Sequence, residues 1–183
     1  MICHPKGSEW RKWDLHAHTP LDHEWINSPQ LNTDEEKKTF AEKYISFAKQ
    51  QEIEVIGLTD HNFCNELKDS LYPYIIEEAN KNGITILPGF EITVQDGSGI
   101  HLLVLFEEKT ELSSIYDLVK RLFPLYLNLI PSTGRVPVSN KSIDQLIIEL
   151  KDLKLNHLLI FAHGDRENGV LDKGTITGTR RVE

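Results

Sequence analysis

Val55-Ile56-Gly57-Leu58-Thr59-Asp60-His61 is the stretch from which the fold can be read. Its compact apolar run suits a strand buried on both faces, as in a parallel sheet. The run then gives way to three polar side chains at the strand's C-terminal end. In α/β folds that edge faces a common crevice where ligands bind. The stretch therefore predicts an architecture and the place where chemistry should gather.

Working toward the N-terminus, Trp10 to His18 alternates and meets a turn signal at Thr19-Pro20, which predicts a short strand and then a loop to about Asn32. Thr33 and Glu36 have capping-box spacing, and Phe40, Tyr44, Phe47 and Ala48 follow at helical intervals. Toward the C-terminus, a helix around Leu71 to Asn82 is expected to stop at Gly83. Ile84 to Leu87 then read as a strand closed by Pro88-Gly89. Glu91 to Val94 and Ile100 to Phe106 flank Asp96-Gly97-Ser98-Gly99, the pattern of an antiparallel hairpin. Helices are expected through Leu112 to Leu122, interrupted near Pro124, and through Ile143 to Leu150, before a last strand at Leu158 to Phe161. This alternation predicts an α/β fold with a mostly parallel sheet, open or closed into a barrel, without internal repeats.

The 183 residues, 39% hydrophobic, suffice for one domain spanning 1–183, with 164–183 as an irregular tail. A net charge of −8 and a pI of about 5.5 disfavour broad contact with polyanions, so any nucleic-acid contact must be local. Clustered carboxylates would also draw divalent cations. Cys3 and Cys64 cannot build a disulfide framework, which points to a reducing compartment, the cytoplasm. No stretch of about 18 apolar residues and no signal-like start is present, so a soluble chain without a membrane partner is expected. Met1 reads as a genuine start, whereas Lys173 to Glu183, rich in Gly, Thr and Arg, reads as an artificial or premature end.

Histidines and one acid fall where the sheet edge should lie. His16 and His18, two apart on a strand, put both imidazoles on one face within reach of one metal ion, although a lone pair of this kind arises freely by chance. His61 reads as a ligand with Asp60 as a supporting carboxylate, or as a cap on the following turn. Glu91 follows a turn that can push its carboxylate inward; the alternative is an exposed acid at a strand start. His163 ends the last strand with the same ambiguity, and His101 reads as a ligand or an ordinary strand residue. Cys64 offers a thiolate or, more simply, a small buried hydrophobe. Arg166 suits a clamp on a phosphoryl oxygen or a solvated surface position.

Together, Asp14-Leu15-His16-Ala17-His18-Thr19, Thr59-Asp60-His61, Gly89-Phe90-Glu91, His101-Leu102-Leu103 and Ala162-His163 resemble, in order and spacing through residues 13 to 164, the PHP (polymerase and histidinol phosphatase) family. The resemblance implies a distorted (β/α)7 barrel, incomplete here at its C-terminal end. It implies two or three divalent ions (Zn, Mn or Fe), with His16, His18 and Glu91 on one, Glu91 bridging to a second held by His101 and His163, and His61 on a third. The family's third metal takes a further ligand about five residues after the second histidine, which points to His23, with the adjacent Asp22 as the fallback. Metal-activated water would then hydrolyse a phosphoester, a small monoester or a nucleic-acid phosphodiester, with Glu91, His163 and Arg166 as catalytic candidates.

The sequence also departs from that family. Its late Asp-x-His is missing, since no histidine follows His163. A fragment of a longer chain would explain this, and so would a degenerate ligand set. The residues before Asp14 and the run Ala162 to Gly169 resemble the PHP module of larger TrlF-like PHP-plus-ATPase proteins, which allows a catalytically impaired, metal-binding regulatory module as an alternative. No Gly-x-x-x-x-Gly-Lys loop is present, so ATP binding is not predicted. An amidohydrolase would also begin with His-x-His, but Thr59-Asp60-His61 and the short interval from Glu91 to His101 fit the PHP pattern better.

Overall fold

The computed structural model describes residues 10–22, 24–29, 31–62, 71–97, 99–123 and 137–164. Strand β1 (Trp13–Ala17) leads through a loop to helix α1 (Asp34–Gln50), strand β2 (Val55–Leu58), helix α2 (Tyr72–Asn82) and strand β3 (Thr85–Val94). Strand β4 (Ile100–Phe106), helices α3 (Leu112–Leu122) and α4 (Ile143–Leu153) and strand β5 (His157–Phe161) complete the order. The α/β class and the hairpin between β3 and β4 are as expected. Helix α1 begins with the Thr33/Glu36 capping box, and α2 ends at Gly83, whose φ of 71° is the left-handed turn glycine permits.

The five strands lie in the order β1-β2-β3-β4-β5, with β1, β2 and β3 mutually parallel and β4 antiparallel to both its neighbours. One expectation needs correction: Pro88-Gly89 does not close a strand. Strand β3 runs on through Val94, pairing β2 over Thr85 to Pro88 and β4 over Gly89 to Val94. Gly89 makes this handover possible, because a Cβ there would come within 2.2 Å of the Val104 carbonyl oxygen. The missing side chain lets two backbones approach.

Alternation divides the sheet into two faces. Ile56, Leu58, Ile86, Phe90, Ile92, Leu102, Val104 and Phe106 form one core with Ile45, Ile75, Ile115, Leu118, Leu146 and Leu150 of the helices. Each such fully buried aliphatic side chain contributes about 1.5–3 kcal/mol. The opposite face carries Gly57, Gly89, Glu91, His101, Leu103 and Leu105. A Cβ on Gly57 would lie 2.8 Å from the Leu105 side chain, so Leu105 fills the space that the glycine leaves.

The sheet is curled into a half-barrel. A flat sheet would hold its first and fifth strands about 19 Å apart, yet the rings of His16 on β1 and His163 just past β5 lie 4.9 Å apart between centroids. Curling therefore brings the two edge strands' ends to the same place. Among the described residues, no helix is long and apolar enough to cross a membrane.

Candidate metal centre

Side chains from three strand ends and from the β3–β4 hairpin converge on the concave side of the sheet. β1 delivers His16 and His18, β2 delivers His61, and β5 delivers His163 on a left-handed turn (φ 50°). Glu91 and His101 project from the same face of the β3–β4 hairpin, where Glu91 opposes Leu103 and His101 opposes Thr93. They are diagonal neighbours, close enough to touch.

Glu91 is the hub. Its side chain is fully buried, and every ion-pair partner it has among the described residues is a histidine. Oε2 lies 2.7 Å from His16 Nε2, 3.7 Å from His18 Nε2 and 3.6 Å from His61 Nε2. Oε1 lies 2.6 Å from His101 Nδ1 and 3.4 Å from His163 Nε2. One carboxylate thus divides five imidazoles between its two oxygens.

Asp22 forms a second node, also buried. Its Oδ2 accepts from His18 Nδ1 at 2.8 Å, His61 Nδ1 at 2.9 Å and the His61 backbone N–H at 2.7 Å, while Oδ1 accepts from the Glu24 N–H at 2.9 Å. The loop carrying Asp22 is fastened to β2 by Asp60. Both Asp60 oxygens accept from Thr19, one from its N–H and one from its hydroxyl, each at 2.6 Å. Asp60 was expected to support His61; instead it holds Thr19, and Asp22 is the carboxylate on the His61 ring.

The electrostatics follow from burial opposed by partners. For Glu91, burial is the largest influence and would raise the pKa, but hydrogen bonds from His101 and His16 outweigh it and hold the carboxyl below its ordinary range. Asp22 is likewise held far below, with hydrogen bonds from His18, His61 and two backbone N–H groups overcoming burial. His18 and His61 are pushed up despite burial, chiefly by the hydrogen bond each makes to Asp22. His163 is pushed down, because burial, with electrostatic opposition from the nearby His16 and His101 rings, outweighs Glu91. In Asp60 burial prevails over the Thr19 hydrogen bonds and pushes the carboxyl up to about 6.

Three groups of donor atoms lie close enough together to hold an ion: His16, His18 and Glu91; His18, Asp22 and His61; and His61, Glu91 and His101. Imidazole and carboxylate are the donors that divalent zinc, manganese and iron accept. A buried carboxylate balanced by neutral-capable histidines, with no lysine or arginine paired to it among the described residues, leaves room for external cationic charge. The donor set therefore fits divalent metal.

Of the residues expected from sequence, His16, His18, His61, Glu91, His101 and His163 are brought together. His163 touches Glu91 without entering any of the three donor groups. His23, Cys64 and Arg166 lie outside the described residues, and Asp22, the fallback for His23, is in the cluster. Sequence reasoning missed Thr19; its signal was the hydroxyl directly after His18 in a turn.

An α/β half-barrel gathering histidines and carboxylates at one edge of its sheet has the donor groups with which an α/β domain could hold metal. The model of the PHP domain matches residues 38–145, more than half of the chain, and the protein belongs to that family. The matched span contains His61, Glu91 and His101, while His16, His18, Asp22 and His163 lie outside it. No curated protein sequence matches the chain.

Proposed function

We propose that the chain is a metal-dependent phosphoesterase. The observation that carries this reading is Glu91, a solvent-free carboxylate with Oε2 turned to His16 and His18 and Oε1 to His101 and His163. Such a carboxylate suits bridging. His16, His18 and Glu91 would hold one ion, Glu91, His101 and His163 another, and His61 would serve a third. Bound there, divalent ions supply Lewis acidity that neutralises phosphoryl oxygens and lowers the pKa of water toward neutrality.

The chain's own residues set access. The side chains of His16, His18 and His163 are 28%, 28% and 35% exposed, whereas those of His61 and Glu91 are nearly or fully buried. Substrate approaches over the partly exposed His16, His18 and His163, with Glu91 buried beneath them. The net charge of −8 favours a compact phosphate over a long polyanion held by surface charge. Arg166, three residues past His163, is the proposed clamp on a phosphoryl oxygen.

Turnover of a chromogenic phosphate monoester and a phosphodiester, each with added Mn2+, tests the proposal. Hydrolysis of either that is lost in His16→Ala supports it. Bound metal with no hydrolysis of either supports instead an impaired binding module, and absence of both removes the metal-centre reading.

A further inference from the structure

We infer that Asp22 is a positioning residue that sets the tautomers of His18 and His61 and is not itself a metal ligand; the inference rests on reading the cluster as a metal centre. A carboxylate is an acceptor only, so each ring nitrogen against it must carry a proton. Both contacts are made by Nδ1, at 2.8 and 2.9 Å. In the neutral rings the lone pair is then on Nε2. Both Nε2 atoms face the Glu91 oxygen Oε2, at 3.7 and 3.6 Å. One acid thereby points two imidazole lone pairs at the same carboxylate.

Asp22 also has little left to give a cation. Its two oxygens already take four donors: two ring N–H groups and the backbone N–H groups of His61 and Glu24. A carboxylate offers about four lone-pair sites, and here Oδ2 carries three donors and Oδ1 one, so Oδ2, the oxygen turned to the two rings, is saturated. The position is enforced from outside the cluster, because the Asp22 N–H donates to the Thr19 carbonyl at 2.9 Å and Thr19 is held by Asp60. A carboxylate behind a ligating imidazole is the arrangement that fixes ring orientation and raises donor strength.

The test uses full-length, metal-free protein with 15N-labelled histidine at a pH where the rings are neutral, followed by titration with Mn2+. Long-range 1H–15N correlations should show His18 and His61 as Nδ1–H tautomers in the wild type. In Asp22→Ala both should revert toward Nε2–H, and Mn2+ affinity should fall about 10- to 100-fold with unchanged stoichiometry. Asp22→Asn, whose amide oxygen can keep one Nδ1–H contact, should fall between these values and serves if the alanine variant does not fold. Nε2–H tautomers in the wild type, or loss of one full equivalent of Mn2+ in the variants, would overturn the inference. A wild type that binds no Mn2+ defeats the metal-centre reading, while the tautomer result still decides the role of Asp22.

Discussion

Asp22 and His61 meet twice: one carboxylate oxygen accepts both the His61 backbone N–H at 2.7 Å and its ring Nδ1 at 2.9 Å. The first contact fixes where the chain leaves β2, and the second fixes how the ring is turned. Loop and ligand are thereby set by one side chain.

That arrangement depends on the Asp60–Thr19 fastening. Thr19→Val keeps the shape and removes one donor, leaving a buried Asp60 oxygen short of a partner, at a cost of about 1–3 kcal/mol. Asp60→Ala should cost more, because it also strands the Thr19 N–H and hydroxyl. Thermal unfolding followed by circular dichroism checks the order. Equal stability of wild type and both variants would contradict it.

Stability of the metal-free protein should peak in weak acid. His18 and His61 are raised above 6.5, so their contribution is complete below that value and is lost as pH rises through their folded pKa values. Asp22 and Glu91 are depressed below 3.8 and 4.5, so theirs is present above those values and lost as pH falls through the folded ones. Between these limits Asp60, raised to about 6, loses stability as pH rises while His163, lowered, gains it, so melting temperatures in EDTA should be highest between about 4.5 and 6.5 and decline on both sides. Mn2+ competes with protons for the imidazoles and should stabilise more at pH 8 than at pH 5.5. A steady rise in EDTA through pH 8 would speak against this charge arrangement.

Two glycines should respond differently to alanine. At Gly89 the new Cβ meets the Val104 carbonyl oxygen at 2.2 Å, so β3 and β4 must separate, at about 3 kcal/mol or more. At Gly83 nothing lies within 4 Å, and only the φ of 71° resists, at about 1–2 kcal/mol. Urea denaturation of the two variants measures the difference. A Gly83→Ala penalty equal to or above that of Gly89→Ala would contradict the close-approach account.

Much of this molecule was legible in the chain because local rules and tertiary packing agree. Thr33 and Glu36 announced α1, and the polar ends of apolar runs announced His16, His18, His61 and His163. Pro88-Gly89 misled because turn chemistry and close strand approach use the same residues; only the partner strand reveals that Gly89 admits Val104. Asp60 misled for a related reason, since its neighbour in sequence is His61 but its neighbour in space is Thr19. The hub role of Glu91 was implied by family resemblance alone, because contacts with five histidines from four strands follow from how the sheet curls.

The most direct measurement is elemental analysis of the purified chain beside Glu91→Gln. The account predicts two or three divalent ions per wild-type chain. In the variant, which keeps the shape and removes the charge shared by all five histidines, occupancy should fall to one ion or fewer and any phosphoester turnover should fall at least about a hundredfold. A wild-type chain that retains no divalent metal when supplied with Zn2+, Mn2+ or Fe2+, or a Glu91→Gln variant that keeps the full complement, would contradict the account.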